Sequence, residues 1–237
     1  MSTSSLDLHD INQMIDVSAV RTDSTMDEVK QVISAVKKYH CICASPMPWA
    51  TRYTVEQLQN TDAVVTGVVA FPAGGEDTFI KVATAKDMIS QGCREIDMVM
   101  NIGALKSGMY DYVEQDIHAV VDAVAGTPVK VIIEHGLLSE DEIKRASEIC
   151  VKADAAFVKT GTGWFGDKPT TVHTIKLIHD TIGDAARIKA AGGVRDLDTI
   201  IAMHEEGCTR FGIGVRSCMS IFNEINSRLS DSASSQE

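Results

Sequence analysis

Eight short apolar runs, each followed by a stretch of helical periodicity, recur along this chain of 237 residues. No other feature restricts the fold as much. The runs are "MIDVSAV" (14–20), "CICAS" (41–45), "VVTGVVAF" (64–71), "EIDMVM" (95–100), "VKVIIE" (129–134), "AAFVKT" (155–160), "RIKAAGG" (187–193) and "TRFGIG" (209–214). Between them the spacing changes. In "DEVKQVISAVKKY", Val29, Val32, Ile33 and Val36 repeat at helical intervals, and in "YVEQDIHAVVDAVAG" Val113, Ile117, Val120, Val121 and Val124 do the same. Ser139 followed by Glu142 fits a capping box at the start of another helix. Strand and helix in alternation imply parallel strands joined by right-handed crossovers. Eight such units in about 240 residues predict an α/β chain folded as a single (β/α)8 TIM barrel over residues 1–229. An open doubly wound sheet is the alternative, but the barrel leaves no strand over and needs no second domain. The tail 230–237, "SDSASSQE", is small and polar and reads as disordered.

Charge and cysteine usage then narrow the partners. The net charge is -11 and no Lys/Arg-rich block stands out, which argues against nucleic acid and anionic membrane. An anionic small molecule needs only a local site. The start "MSTSSLDLHD" lacks a basic region followed by an apolar stretch, and no run approaches membrane-spanning length, so a cytoplasmic location is expected. The cysteines at 41, 43, 93, 150, 208 and 218 lie in apolar segments without zinc or disulfide spacing, which predicts buried reduced thiols and no metal site. Cys41 and Cys43 share one face of a strand. The oligomeric state is left open, with a homodimer compatible.

In barrels of this kind the chemistry sits at the carboxyl ends of the strands. Asp16 falls near the close of the first run, Asp97 in the fourth, Glu134 at the end of the fifth, Lys159 at the end of the sixth and Lys189 at the end of the seventh. Lys159 and Lys189 lie on adjacent strands at matching depth, so their side chains converge in one mouth. Two ammonium groups close together in a site of low dielectric cannot both stay charged cheaply, and one pKa falls. Bringing a lysine near neutrality takes roughly 4–5 kcal/mol of differential destabilisation, which burial and a neighbouring cation can supply. The product is a neutral amine able to attack a carbonyl and form a Schiff base. The alternative is that each lysine snorkels to solvent or pairs with a carboxylate. In "REIDMVMN", Glu95, Asp97, Val99 and Asn101 share one strand face and Ile96, Met98 and Met100 the other. The apolar face packs on helices, so Asp97 points into the barrel, either as a proton carrier or as a structural counter-ion. Glu134 reads similarly with less support, and His135 beside it is either catalytic or structural.

Glycines make the second constellation. "AAGGVRD" follows the seventh strand and "FGIGVRS" the eighth, the usual phosphate loops of these barrels. Backbone N–H groups of Gly192, Gly193 and Gly214 can approach an anion, and Gly163 in "GTG" adds a further donor. Glycines also make tight turns, so the alternative is purely conformational. Arg216, at the start of the following helix, is a charged donor for the anion or a surface arginine.

The segments "EIDMVMNIGALKSG" (95–108), "VKVIIE" (129–134), "FVKTGTGW" (157–164), "IKAAGGVR" (188–195) and "RFGIG" (210–214) resemble, in order and across nearly the whole chain, the deoxyribose-phosphate aldolase family of class I aldolases. "FPAGG" (71–75) and "MIDVSAV" (14–20) resemble it more weakly. The resemblance implies a (β/α)8 barrel in which Lys159 forms the Schiff base, Lys189 depresses its pKa and Asp97 shares in proton transfer. It implies cleavage of 2-deoxy-D-ribose 5-phosphate to acetaldehyde and D-glyceraldehyde 3-phosphate, with no metal or cofactor. Asp16 and Cys43 join the glycines and Arg216 as expected substrate-binding residues. The chain departs from the family pattern at Gly161 (usually serine), Trp164, His135 (usually threonine) and Gly214-Val215 (usually serines), and it lacks a C-terminal tyrosine. An aldolase acting on a different or unphosphorylated acceptor, and a binding protein on the same scaffold, are the competing readings.

Overall fold

The computed structural model describes residues 6–165 and 168–234. Eight strands close into a barrel in chain order: β1 (Ile15–Ala19), β2 (Cys43–Pro46), β3 (Val64–Val69), β4 (Glu95–Val99), β5 (Val129–Ile132), β6 (Phe157–Lys159), β7 (Arg187–Ala191) and β8 (Cys208–Gly214). Every pairing is parallel, and β1 closes the ring by pairing with both β2 and β8. The expected barrel is the observed one, with each strand inside or within a residue of its apolar run.

The helices lie between the strands: α1 (Met26–Tyr39), α2 (Thr51–Leu58), α3 (Thr78–Ser90), α4 (Ile102–Lys106), α5 (Tyr110–Ala123), α6 (Glu140–Lys152), α7 (Val172–Ile182), α8 (Leu197–Glu205) and α9 (Val215–Ser234). Local chemistry sets their ends. Thr25 caps α1 by accepting the Glu28 N–H, and His40 ends it in the left-handed conformation. Ser139 and Glu142 form the expected capping box on α6. The stripe Val29, Val32, Ile33 and Val36 is buried, as is Val113, Ile117 and Val120 on α5. Helix α9 runs past residue 229 to Ser234, so the first part of the tail expected to be disordered is helical. Its apolar residues Ile221, Phe222 and Ile225 hold it to the core, and helix propagation then costs little per residue. Residues 235–237 of that expectation lie outside the described residues. No described helix is long and apolar enough to cross a membrane.

The core has two shells of different chemistry. Between strands and helices it is apolar apart from the buried Lys81–Asp116 ion pair, with Ile96, Met98, Val131, Val158 and Ile188 fully or almost fully buried. Inside the barrel, where branched apolar side chains usually stack, the parallel register instead brings polar residues level. Lys159 lies opposite Lys189, Lys189 opposite Arg210, Asp97 opposite Lys130, and Asp16 opposite both Cys43 and Gly212.

Candidate active site

A cavity of about 210 Å³ opens at the carboxyl ends of the strands. Lys159, Lys189 and Asp97 form its floor, and Gly163, Gly192, Gly193 and Gly214 stand along one side. Asp97 joins the lysines. Lys159 donates to Asp97 Oδ2 at 2.6 Å and Lys189 donates to the same oxygen at 2.8 Å. The other oxygen, Oδ1, accepts from Lys130 at 3.0 Å and from the Thr66 hydroxyl at 3.3 Å.

Below the floor the network continues. Lys189 donates to Asp16 Oδ2 at 2.5 Å, and Arg210 donates from Nε to Asp16 Oδ1 at 2.5 Å and from Nη2 to Glu95 at 2.9 Å. Lys130 also reaches Glu95 at 2.5 Å. Four cationic side chains, Lys130, Lys159, Lys189 and Arg210, thus meet three carboxylates, Asp16, Glu95 and Asp97. A buried surplus of one positive charge is costly, and the inexpensive relief is for one lysine to shed its proton. Lys159 is placed to do so. Burial pushes its ammonium down, and Lys189 and Lys130 push the same way. Asp97 pulls back, and the balance leaves the pKa at about 8. Against its ordinary value that is roughly 3 kcal/mol, less than full neutrality at pH 7 requires, because the aspartate that orients the lysine also stabilises its charged form. Burial alone would raise the Asp97 carboxyl, but the Lys130, Lys159 and Lys189 ammonium groups hold it well below the usual carboxylate range. Asp16 is likewise held low against its burial by Lys189, Lys130 and Arg210.

The glycines predicted to face an anion line the cavity. Gly163, Gly192 and Gly193 have φ of 79°, 89° and 93°, and a β-carbon on Gly193 would lie 2.4 Å from Pro169 Cβ, so these loops require glycine. Gly214 passes into α9, whose first residues and N-terminal dipole face the same space through Ser217. Three predicted residues sit elsewhere. Asp16 and Cys43 do not line the cavity; Ser18 and Ser45, two residues further along the same strands, do. The strand period of two puts Asp16 and Cys43 on the same inward face one layer deeper. Arg216 lines a neighbouring cleft with Arg21 and Glu28, because its place on the first turn of α9 turns it away from the barrel axis. Arg195 and Arg21 supply the arginines of the cavity itself.

Sequence reasoning missed Lys130, Arg210, Arg195 and Ser45. Lys130 and Arg210 sit inside strands already recognised, and the signal was their charge between apolar neighbours, as in Val129-Lys130-Val131. Ser45 lines the cavity with a buried hydroxyl that has no hydrogen-bond partner among the described residues. His135 takes a structural bond, its Nδ1 donating to the Thr160 carbonyl at 3.1 Å, and Glu134 accepts the Thr162 N–H at 3.0 Å. Trp164 ties the loop after β6 across the mouth, donating from Nε1 to the Val20 carbonyl at 2.9 Å, with the Arg21 guanidinium 5.5 Å from its ring. The ligating atoms of Asp16, Cys43 and Glu95 lie within 4.8 Å of one another. Both carboxylates there already accept from Lys130, Lys189 or Arg210, a cationic lining that opposes a metal ion.

A family model for DeoC/LacD family aldolases matches residues 5–222. A deoxyribose-phosphate aldolase of Staphylococcus epidermidis is 44% identical over 200 residues, covering 84% of this chain and 90% of that protein. Among solved structures, an aldolase termed QR15 superposes with a TM-score of 0.86 at 32% identity over 92% of this chain and 97% of its own. A tetrameric deoxyribose phosphate aldolase from Aeropyrum pernix gives 0.84 at 21% identity over 93% of each chain, a likeness of fold.

Proposed function

The chain belongs to the DeoC/LacD family of aldolases, and from that premise we propose that it cleaves 2-deoxy-D-ribose 5-phosphate, reversibly, to D-glyceraldehyde 3-phosphate and acetaldehyde through a Schiff base on Lys159. One observation carries the reading: a buried lysine with its pKa lowered to about 8 stands 2.6 Å from a carboxylate that it shares with a second lysine, at the foot of a glycine-walled cavity.

The chemistry runs as follows. At pH 7 roughly a tenth of Lys159 is neutral, enough to add to the C1 aldehyde of the open-chain sugar. Loss of water gives an iminium. The C3 hydroxyl gives up its proton to the Lys189–Asp97 pair, the C2–C3 bond breaks, and its electrons move to the iminium nitrogen. Glyceraldehyde 3-phosphate leaves. The remaining enamine takes a proton at C2, and water hydrolyses the new iminium to acetaldehyde and the free amine, balancing the water lost earlier. Three ammonium groups hold Asp97 ionised, so it works as an acceptor and relay, with Lys189 as the proton donor. The substrate phosphate fits against the N–H groups of Gly163, Gly193 and Gly214 and the first turn of α9, with Arg195 and Arg21 at its edge. The unpartnered Ser45 hydroxyl fits a substrate hydroxyl. We further infer a homo-oligomer in the cytoplasm: all six cysteines are free and buried, which suits a reducing compartment, and large apolar side chains such as Phe79 and Trp49 are exposed.

Borohydride reduction in the presence of acetaldehyde tests the reading. A two-carbon adduct on the Lys159 peptide, with turnover abolished in Lys159→Leu, is the expected result. An adduct on Lys189, or none, overturns it. A preference for unphosphorylated deoxyribose would overturn the substrate while leaving the Schiff base.

A further inference from the structure

A second cavity, of about 310 Å³, lies behind the glycine wall of the first. The partition is backbone against backbone: a β-carbon on Gly192 would lie 3.5 Å from Gly163 Cα, and one on Gly163 would lie 3.7 Å from Gly192 Cα. On one side is Lys159; on the other are His135, Glu134, Gly161 and Lys168.

The floor of this second cavity holds acceptors. His135 is 8% exposed. Its Nδ1 faces a carbonyl, which only accepts, so Nδ1 carries a proton, and in the matching tautomer of an imidazole Nε2 is the acceptor. That Nε2 is buried and has no hydrogen-bond partner among the described residues. Buried polar atoms are rarely left so. Beside it, Glu134 is fastened by the Thr162 N–H and holds a left-handed φ of 49°, a strained conformation for a residue with a side chain. The rim holds donors: Lys168 and Arg195 line the cavity and have no ion pair among the described residues. The floor therefore asks for a donor and the rim for an anion. Two departures from the family motifs, His135 and Gly161, both fall here. A β-carbon at Gly161 would lie 3.0 Å from Glu134 Oε1 and 3.6 Å from His135 Nδ1, so glycine at this position leaves the space open.

We propose that this cavity binds a small hydroxylated phosphate ester at a site separate from the Schiff-base lysine. Its hydroxyl donates to His135 Nε2 and its phosphate rests against Lys168 and Arg195. Because Gly163, Gly192, Gly193 and Arg195 belong to both cavities, occupancy draws Arg195 away from the substrate phosphate. The occupant raises KM for a phosphorylated substrate and leaves kcat in place.

The test uses racemic glycerol 3-phosphate as the probe on the intact protein, followed by long-range proton–nitrogen NMR of the histidine rings. The His135 signal is assigned by its loss in His135→Gln. The expected result is a saturable shift of His135 Nε2 as it gains a donor, with affinity reduced about tenfold in Lys168→Ala and by a similar factor in Gly161→Ser, which fills the cavity. A stationary His135 Nε2 while the probe binds elsewhere, or equal affinity in wild type and both variants, would overturn the proposal. The readout involves no aldol cleavage, so its outcome is separate from that of the borohydride experiment.

Discussion

Two buried lysines on this chain have opposite circumstances. Lys81, on α3, is fully buried in the helix layer, where it has a carboxylate to itself: it donates to Asp116 Oδ2 at 2.5 Å and to the Val99 carbonyl at 3.3 Å, while Thr78 donates to the other Asp116 oxygen at 2.7 Å. Lys159, slightly more exposed, shares one Asp97 oxygen with Lys189, and Lys130 holds the other. Burial does not distinguish them. The difference is the ratio of cations to carboxylates within reach: one to one around Lys81, four to three inside the barrel. A reactive amine arises where the local count of charges does not close.

Short of removing Lys159 itself, taking a carboxylate from the barrel should change the rate more than any other single substitution. Asp97→Asn should slow turnover by about two to four powers of ten, as expected for loss of a proton carrier. Since Asp97 raises the Lys159 pKa, the acid limb of the pH–rate profile should also move to lower pH. An acid limb that moves upward would show that Asp97 is not the group holding Lys159 charged. Breaking the other pair should act on stability instead. Lys81→Met leaves the Asp116 charge buried without a cation, held only by the Thr78 hydroxyl, and should cost about 3–5 kcal/mol in urea unfolding, while Lys81→Met with Asp116→Leu recovers most of it. Turnover per folded molecule should stay near wild type in the double variant; a large fall there would tie Lys81 to the chemistry.

Lys189→Met sharpens the comparison more gently. Lys189 lowers the Lys159 pKa, so its removal should raise that pKa, shrink the neutral fraction at pH 7 and move the acid limb upward from about pH 8. A normal rate with an unmoved limb would mean that burial and Lys130 do the lowering without Lys189. The smallest effects lie at the phosphate end. Arg195→Ala should raise KM for deoxyribose 5-phosphate about tenfold and leave unphosphorylated deoxyribose unaffected, whereas Arg216→Ala should change neither by more than about twofold. A reversal of these two would return the phosphate contact to Arg216.

The barrel is legible in the sequence because its strands are apolar runs of the right length separated by amphipathic stretches with recognisable caps, and those are local signals. Lys159 and Lys189 are legible because each interrupts or ends such a run next to a glycine-rich turn. Lys130 carries as much charge but hides in mid-strand. When both faces of a strand are buried, a period of two does not say which face looks into the barrel, and one lysine in "VKVIIE" reads as tolerated rather than placed. Arg210 hides in the same way. Asp16 and Cys43 were placed one layer too high, since sequence shows the parity of a strand residue but not its depth, which depends on how neighbouring strands are staggered. Arg216 failed for a different reason. Gly214 and Ser217 on either side do face the cavity, but a helical turn of about 100° per residue aims the two residues between them, Val215 and Arg216, elsewhere.

Arg210 and Asp16, which anchor the floor of the site, are 194 residues apart along the chain. During synthesis Asp16 emerges early and Arg210 late, so for most of that interval the carboxylate has no guanidinium to meet. A nascent chain holding β1 through β7 possesses Lys159 and Lys189 yet lacks Arg210, one of the two cations that reach both Asp16 and Glu95. The interior it would enclose sets three lysines, Lys130, Lys159 and Lys189, against three carboxylates, Asp16, Glu95 and Asp97, so the surplus charge that favours loss of a proton is absent. The surplus charge that makes the amine nucleophilic therefore arrives with the last strand, and free aldehydes meet an activated amine only once β8 has docked.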